Sequence, residues 1–407
     1  MKKPLFGILT FLILIVVLFG VGEVCFRIFR NDPNPLADIT QKEKTLLFAP
    51  NITMRSVSDK DEDFSYTSKI NKFGYRGKDF GFPKPKGTFR IFVVGDSFTF
   101  GVGSEENETI PFLIEENLRS RYNNIEVINA GIGHASPITH YLNLKNIHLK
   151  YEPDLVILLF DLTDLWDDWH SERNAIFDKK GEIVRFDPMF INGKRDWWIT
   201  CTYYSAFCRY FNNKVVRSIK KMKTLGLKEY ACAIKEGKRA KAVISTSIGK
   251  VSDEDVIEYD GLLMMRGIEK EGLIRKHWER TARYLAKIRD LLNEKGIPLV
   301  IVMYPHGIYL EGNQWEKGRV TWGFEEGKVY RDYLPFEIMK EFCGRENILF
   351  INTLDDFLKA DVRRYFYDWD GHMTPAGHRI AARSVVSNQK FKDILSTAGQ
   401  FEDKSHF

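Results

Sequence analysis

A serine that follows an apolar run is the first residue of this chain that could do covalent chemistry. The tripeptide Gly95-Asp96-Ser97 comes directly after residues 90–94 (Arg-Ile-Phe-Val-Val), which are apolar from Ile91 onward, and such a run is typical of a buried parallel strand. Ligands of open parallel sheets bind beyond the carboxyl ends of the strands, which is where Ser97 stands. We therefore consider Ser97 a candidate nucleophile, with capping of the following helix as the alternative interpretation.

A serine nucleophile needs a base, and the base needs a group that orients it. Residues 368–378 form a loop rich in Asp, Gly and Pro, in which His372 stands just before a helix that starts near Pro375. A lone histidine is more often structural, but Asp370, two residues earlier, can fix the tautomer of its imidazole. The pattern favours His372 as a general base oriented by Asp370.

The segments between these residues must bring the two ends of the chain together. Short apolar runs alternate with helical patterns, which predicts a parallel, doubly wound α/β sheet. The predicted strands are residues 90–94, 125–129, 155–160, 298–304 and 348–351, and the clearest predicted helices are residues 110–122 and 275–292.

The combination of Gly95-Asp96-Ser97 with Asp370-Gly371-His372 resembles the SGNH/GDSL hydrolase superfamily. Residues 70–76 and 86–91 are similar to the leader of its membrane-anchored bacterial members, and the resemblance covers residues 65–170 and 275–390. It implies a three-layer α/β/α fold with a flavodoxin-like, parallel five-stranded sheet. The Gly-x-Ser-x-Gly elbow of ordinary α/β-hydrolases is absent around Ser97.

The resemblance also implies roles for individual residues. Ser97 would be the nucleophile, His372 the general base and Asp370 its orienting partner. Many members place that Asp three residues before the His, where this chain has Trp369. Asp368 is therefore the alternative to Asp370.

Two blocks depart from the family pattern at the oxyanion donors. The family uses a Gly after the second strand and an Asn after the third, whereas this chain has His134, preceded by Gly133, and Thr163. A threonine hydroxyl donates one hydrogen bond, and loss of one oxyanion donor typically costs about 10²–10³ in rate. We predict Gly133, His134 and Thr163 as oxyanion and substrate-binding residues of a slow, specialised or degenerate site.

The expected activity is that of a serine esterase. It would hydrolyse O-acyl esters, above all O-acetyl esters, of a cell-envelope glycan through an acyl-Ser97 intermediate. An O-acetyltransferase of the same fold and a catalytically impaired glycan-binding or assembly protein are the alternatives, with a lipase third. Trp and Asp residues within residues 164–170 suit sugar recognition, although core Trp residues beside exposed acids are the more common explanation of such a pattern. We expect no cofactor and no metal, because CxxC and HExxH motifs are absent.

The N-terminus has the pattern of a membrane signal. Lys2 and Lys3 precede an apolar run at residues 5–22 that only Thr10 interrupts, and a helix of about 20 apolar residues spans a bilayer. No Ala-x-Ala cleavage site follows. We predict an uncleaved signal anchor over residues 1–25, with a cleaved signal peptide as the alternative, and an extracytoplasmic catalytic domain in the periplasm or at the cell surface.

The remaining sequence suggests how the 407 residues are divided. We predict a stalk and leading segment at residues 26–88, a hydrolase-like domain at residues 89–390 with an insertion at about 170–270, and a tail at residues 391–407. Cys201 and Cys208 could pair in an oxidising compartment.

The charge balance bears on the partners of the chain. The 60 basic and 55 acidic residues are too balanced for a nucleic-acid binder. Residues 214–241 hold ten Lys or Arg and two acidic residues. This stretch is either a solvated amphipathic helix or a surface for an anionic lipid or glycan.

Overall fold

The computed structural model describes most of the chain in two compact units. The described residues are 47–58, 63–122, 124–187, 189–228, 253–361 and 364–399, together with 10, 13, 14, 17, 19–25, 27, 231 and 235. The smaller unit comprises Met1–Lys44 and Arg173–Tyr230, and the larger unit comprises Thr45–Glu172 and Ala231–Phe407.

Eleven strands occur among the described residues. In chain order they are β1 (Thr53–Val57), β2 (Ser65–Lys69), β3 (Phe89–Gly95), β4 (Ile125–Gly131), β5 (Leu155–Phe160), β6 (Ala175–Phe177), β7 (Ile183–Phe186), β8 (Phe190–Ile191), β9 (Lys194–Arg195), β10 (Leu299–Met303) and β11 (Leu349–Asn352).

The helices follow the same chain order. They are α1 (Ser97–Phe100), α2 (Ile110–Arg119), α3 (Pro137–Asn146), α4 (Asp164–Arg173), α5 (Trp197–Tyr204), α6 (Ala206–Phe211), α7 (Arg217–Leu225), α8 (Asp253–Tyr259), α9 (Glu271–Asn293), α10 (Glu316–Val320), α11 (Leu334–Glu346), α12 (Leu354–Lys359), α13 (Pro375–Ser387) and α14 (Gln389–Gly399). Short 3₁₀ turns lie at Glu106–Glu108, His148–Tyr151, Leu263–Lys270 and Gly307–Tyr309, and one π-helical turn lies at Asn212–Val216.

The main sheet has the strand order β11-β10-β5-β3-β4, and all of its neighbouring strands are parallel. The chain steps from β3 outward to β4, and then returns past β3 to β5 and continues to β11. Because such crossovers are right-handed, the reversal places α2 on one face and α3, α9 and α11 on the other. The contacts agree, since α2 packs against α13 while α3 and α11 pack against α9.

The core of the larger unit is the centre of this sheet. Every residue of β3, β5 and β10 is buried, as expected for strands that helices cover on both faces. Each large apolar side chain that becomes fully buried contributes about 1.5–3 kcal/mol. The parallel five-stranded α/β sheet predicted from the sequence is confirmed, and each strand agrees with its predicted bounds to within two residues.

Three segments differ from the predicted division of the chain. Part of the predicted stalk forms the β1–β2 hairpin of the larger unit, where Tyr66 and Ile70 pack with Phe100. Residues 253–270, predicted as the end of the insertion, also belong to the larger unit. The predicted tail begins within helix α14, in which Phe391 and Leu395 are fully buried.

The predicted membrane anchor over residues 1–25 lies largely outside the described residues. Across the part of the chain that the structure describes, no helix has the length and apolar content needed to cross a membrane. In the smaller unit, Cys201 and Cys208 form a disulfide that joins α5 to α6, with 6.1 Å between their Cα atoms.

Candidate active site

The chain turns sharply between β3 and α1, and this turn presents Ser97. Asp96 caps α1, because its Oδ1 accepts a hydrogen bond of 2.9 Å from the backbone N–H of Phe98. Gly95 leaves no room for a Cβ atom, since Thr99 of the same turn packs directly over it. Asp96 is buried whereas Ser97 is partly exposed. The serine hydroxyl therefore faces outward at the carboxyl end of the sheet.

The structure brings the three predicted catalytic residues together. The Ser97 Oγ and His372 Nε2 atoms are 2.8 Å apart, and His372 Nδ1 is hydrogen-bonded to Asp370 Oδ1. Burial raises the pKa of the Asp370 carboxyl, but the hydrogen bonds and charge of His372 outweigh it and hold the pKa below its usual value. An ionised Asp370 fixes the tautomer in which Nε2 faces Ser97 with a lone pair.

The loop that carries Asp370 and His372 is held by close contacts. Gly371 has a φ of 89° and an added Cβ would lie 2.7 Å from the Nε1 atom of Trp315, so only glycine fits there. Asp368 forms an ion pair of 2.6 Å with Arg364 rather than approaching His372. The orienting carboxylate in this geometry is therefore that of Asp370.

A carboxylate from the leading segment also holds this loop. Asp63 Oδ2 accepts hydrogen bonds of 2.7 Å from the backbone N–H of Asp370 and 3.0 Å from that of Trp369. Burial raises the pKa of Asp63, as do the charges of Asp370 and Asp368, while the two backbone hydrogen bonds lower it. The sequence analysis missed Asp63, because nothing in its neighbourhood marks it as a partner of residues more than 300 positions away.

His134 lies in the turn after β4 and lines the same cavity as Ser97. Its φ is 60°, in the left-handed region where glycine is usual and where histidine is found more often than most residues. Its side chain is 88% exposed, with Nδ1 3.7 Å from Oδ1 of Asp167. Gly133 precedes it in open space. His134 therefore adopts the left-handed backbone conformation that a glycine at this position would adopt without steric strain.

The hydroxyl of Thr163, predicted to donate to the oxyanion, donates to a neighbouring carboxylate instead. The hydroxyl donates to Asp161 Oδ2 at 2.6 Å, and the backbone N–H of Thr163 donates to the same oxygen at 2.9 Å. Both donors of Thr163 are therefore directed at a neighbouring carboxylate. The sequence alone could not reveal this, because it depends on which way the Asp161 side chain turns.

Asp161 itself belongs to a second carboxylate–imidazole pair that the sequence analysis missed. Its Oδ1 lies 2.7 Å from Nε2 of His306, and both side chains are buried and line the cavity. Burial raises the pKa of Asp161, but the His306 contact and the Thr163 hydrogen bonds lower it to about 2. His306 follows the strand β10, so the rule that located Ser97 would also have found it.

Three further carboxyl groups on the segments that follow β3 and β5 are buried. Burial and the charges of neighbouring carboxylates raise the pKa of Asp96 and Asp164 well above their usual value. Burial raises the pKa of Asp168 to about 7. Among the described residues, no group of three or more His, Cys, Asp or Glu side chains is placed to hold a metal ion.

A cavity of about 280 Å³ opens over Ser97 in the larger unit. Its wall is aromatic and acidic, and no Lys or Arg is among the described residues that line it. The lining residues include the tryptophans Trp166, Trp315 and Trp322 and the carboxylates Asp96, Asp161, Asp167 and Asp370. Gly261 and Leu262, from the segment that was predicted to be an insertion, complete one side.

Comparison with known proteins gives matches to solved structures only. No protein-family model matches the chain, and no curated protein matches it significantly. An acetyl xylan esterase is 14% identical, with a TM-score of 0.35, over 74% of this chain and 98% of that chain. A lipase/acylhydrolase from Enterococcus faecalis is 10% identical, with a TM-score of 0.34, over 78% of this chain and 100% of that chain.

A third solved structure that the chain resembles is a two-domain esterase active on acetylated mannans. It is 10% identical, with a TM-score of 0.34, over 78% of this chain and 51% of that chain. Because all three TM-scores are below 0.5, none of these likenesses carries an argument about what this chain does. The functional assignment rests on the geometry around Ser97.

Proposed function

We propose that this chain is a serine esterase that cleaves O-acyl esters, above all O-acetyl esters, of an uncharged glycan of the cell envelope. The observation that carries the proposal is the chain of contacts from Ser97 Oγ to His372 Nε2 at 2.8 Å and from His372 Nδ1 to Asp370. A base within hydrogen-bond reach of a serine, itself oriented by a carboxylate, is the arrangement that activates a serine nucleophile.

The chemical steps follow from this arrangement. His372 Nε2 takes the hydroxyl proton as Ser97 Oγ attacks the ester carbonyl, and the ionised Asp370 stabilises the imidazolium. His372 then gives the proton to the leaving sugar oxygen, which leaves the acyl group on Ser97. Water, deprotonated by the same imidazole, attacks the acyl-Ser97 ester and releases the carboxylic acid and free Ser97.

The negative charge on the carbonyl oxygen needs donors during both additions. The proposal assigns this task to the backbone N–H groups of Ser97 and His134. Gly133 precedes His134 in the turn after β4 and shapes that turn. Thr163 is left out, because its hydroxyl and N–H both donate to Asp161. A site with one donor fewer is expected to be slower by about 10²–10³ than a complete one.

The wall of the cavity supports an uncharged substrate. No Lys or Arg is among the described lining residues, which include three tryptophans. Asp161 and Asp370, whose pKa values are held low, supply negative charge there. A polysaccharide of uronic acids or an anionic phospholipid headgroup would meet like charges there. Sugar rings can stack on tryptophan faces while their hydroxyl groups donate to carboxylates.

The test of the proposal is active-site labelling combined with turnover. A fluorophosphonate probe should label the purified chain at Ser97, and a chromogenic acetyl ester should be hydrolysed. Ser97→Ala should abolish both signals and His372→Ala should reduce them by about 10³ or more. Ser120→Ala, which changes an exposed serine of the larger unit outside the cavity lining, is the matched control and should retain both. Equal inertness of the wild type and Ser97→Ala would contradict the esterase proposal.

Two alternatives keep the same residues in place. Transfer of the acyl group from Ser97 to a sugar hydroxyl would appear as acetylated sugar when the unmodified enzyme is given an acetyl ester together with a saccharide acceptor. A glycan-binding protein with an impaired site is favoured by the engagement of Thr163 with Asp161. It would bind an acetylated glycan equally well with and without Ser97, and would hydrolyse no ester.

The proposal includes a location outside the cytoplasm at a membrane. Its support is Lys2 and Lys3 followed by the apolar residues 5–22. In a bacterial host, the full chain should sediment with membranes and resist extraction by carbonate. Protease added to spheroplasts should digest the part that follows the apolar run. Recovery of the intact chain in the cytosol would contradict this location.

A further inference from the structure

The smaller unit exposes most of the large apolar side chains that the structure shows at its surface. Of the 18 exposed large hydrophobic residues, 13 lie within this unit, although it is the smaller one. They are Ile13, Leu14, Val17, Phe19, Val21, Val24, Phe177, Val184, Trp197, Tyr204, Phe211, Ile219 and Leu227. Single exposed apolar residues are normal, but a concentration of them marks an interaction surface.

One helix of this unit has two faces of opposite character. In α7, Ile219 and Met222 are three residues apart and share one side of the helix. Arg217, Lys220 and Lys221 are spaced by three and four residues and share the opposite side. Ile219 is 42% exposed, so the apolar side is only partly covered by the protein.

Residues 197–228, which we call the basic segment, carry charge of one sign only. No Asp or Glu occurs in this segment, and its basic residues are Arg209, Lys214, Arg217, Lys220, Lys221, Lys223 and Lys228. The same segment exposes aromatic side chains: Trp197 is 77% exposed, Phe211 41% and Tyr204 38%. Basic residues beside exposed aromatic rings are the composition of helices that lie at a membrane surface.

The basic segment is joined to the apolar N-terminal run within the same unit. The Glu23 carboxylate accepts hydrogen bonds from the backbone N–H groups of Ala206 and Phe207, at 3.0 and 3.1 Å, at the start of α6. The rings of Phe19 and Phe207 meet edge to face, with 5.6 Å between their centroids. These contacts place the start of α6, within the basic segment, beside Phe19 and Glu23 of the N-terminal apolar stretch.

We infer that the basic segment is a membrane-surface element that lies on a bilayer containing anionic lipids. Its apolar side and exposed aromatic rings enter the boundary between headgroups and acyl chains, and its lysines contact the lipid phosphates. An amphipathic helix with a basic polar face binds in this way through apolar burial together with electrostatic attraction. The inference does not depend on the ester chemistry of the larger unit.

The occupant is a lipid surface rather than an anionic glycan, because the segment combines charge with exposed apolar side chains. A polyanion would need only the lysines, and would leave Trp197, Phe211 and Ile219 exposed to water. The two occupants therefore differ in the environment that they give to Trp197, which is the most exposed tryptophan of the unit for which the structure gives a value.

The experiment measures that environment in the full chain reconstituted into vesicles. Lipids brominated near the headgroup should quench part of the tryptophan emission when the vesicles contain phosphatidylglycerol, and Trp197→Phe should remove that quenched part. Trp278→Phe, a change of a buried tryptophan of the larger unit, is the matched control and should leave it in place. Lys220→Gln combined with Lys223→Gln should lower the equilibrium constant between the lipid-bound and the free state of the segment by about fivefold per lysine.

Each outcome decides the inference. Quenching by brominated lipid that is lost only with Trp197 supports it, and its weakening at high salt or in purely neutral vesicles supports the role of the lysines. Emission that brominated lipid leaves unchanged, while aqueous iodide quenches it fully, overturns the inference. Protection from iodide only after a soluble anionic polysaccharide is added also overturns it, in favour of a glycan surface.

Discussion

At the scale of single residues, the site depends on carboxylates that do not touch the reacting atoms. Asp370 orients His372, and Asp63 in turn holds the backbone of Asp370 and Trp369. A catalytic loop without regular structure needs such support, because a displacement of about 1 Å can cost about 10²-fold in rate. Asp63 is therefore a positioning residue of the loop.

Substitution of Asp63 tests its support of the catalytic loop. Asp63→Asn keeps an oxygen that can accept from both backbone N–H groups, so kcat should change little. Asp63→Ala loses the acceptor, and kcat should fall by about 10- to 100-fold. Steady-state kinetics of the two variants measure the difference, and an unchanged kcat for Asp63→Ala would contradict the positioning role.

Substitution of Thr163 tests its place at the site. Thr163→Val removes the hydroxyl that donates to Asp161 and keeps the shape of the side chain. We expect kcat/KM for an acetyl ester to fall by less than about tenfold, whereas loss of a true oxyanion donor costs about 10²–10³. A loss in that larger range would contradict this prediction and support Thr163 as an oxyanion donor.

At the scale of elements, helix α4 places carboxyl groups in the interior beside the site. Asp164, Asp167 and Asp168 are all buried on this helix. Asp168 Oδ1 accepts a hydrogen bond of 2.9 Å from the backbone N–H of Ile138, in the first turn of α3. Burial nevertheless raises the pKa of Asp168 to about 7, so the protonated form is favoured in the folded chain below that pH.

The raised pKa predicts how stability depends on pH. Between about pH 4 and 7 the unfolded chain ionises Asp168 while the folded chain keeps its proton, so the folded chain binds more protons and stability falls as pH rises. The contribution of this group is up to about 1.4 kcal/mol per pH unit. Asp168→Asn cannot ionise and still accepts from Ile138. Urea unfolding at several pH values should give it a smaller loss of stability with pH than the wild type, and identical slopes would contradict the prediction.

The elements were predictable from sequence to different degrees. The strands β5 and β10 are continuous apolar runs, and β3 is apolar apart from Arg90, because helices cover both faces of the sheet. Their positions are therefore predictable from sequence alone. Ser97 and His372 were found because each stands in a recognisable motif beside an element boundary. His306 stands at a similar boundary after β10, but no motif accompanies it.

Contacts that depend on the direction of a side chain could not be predicted from the sequence. Whether Thr163 faces the oxyanion or Asp161 depends on rotamers in a four-residue turn. The conformation of His134, with a φ of 60°, runs against the ordinary preference of non-glycine residues. Asp63 contacts the catalytic loop through the tertiary packing of the segment predicted to be a stalk and leading segment. Local patterns carry none of this information.

At the scale of the whole molecule, the two units divide the features of the chain between them. The residues that line the Ser97 cavity all belong to the larger unit. The Cys201–Cys208 disulfide, the basic segment and the contacts of Glu23 all belong to the smaller one. The proposed ester chemistry and the proposed membrane contact therefore fall in different units of one chain.

This division predicts the effect of removing the disulfide. Cys201→Ser combined with Cys208→Ser should leave kcat/KM for a small acetyl ester unchanged to within about twofold, because the described residues that line the Ser97 cavity all belong to the other unit. The closed loop is short, and its loss should destabilise the smaller unit by about 2–3 kcal/mol. Unfolding followed through the emission of Trp197 and Trp198 should detect that loss. A large fall in turnover of a soluble ester would contradict the independence of the two units.

The distance along the chain between Ser97 and His372, 275 positions, also has a consequence in time. Ser97 is synthesised 275 positions before His372, so a product that ends between them carries the serine without its proposed base. If Ser97 acts as we propose, such a shortened product has no ester-cleaving activity. A growing polypeptide would then not react with the acyl groups around it.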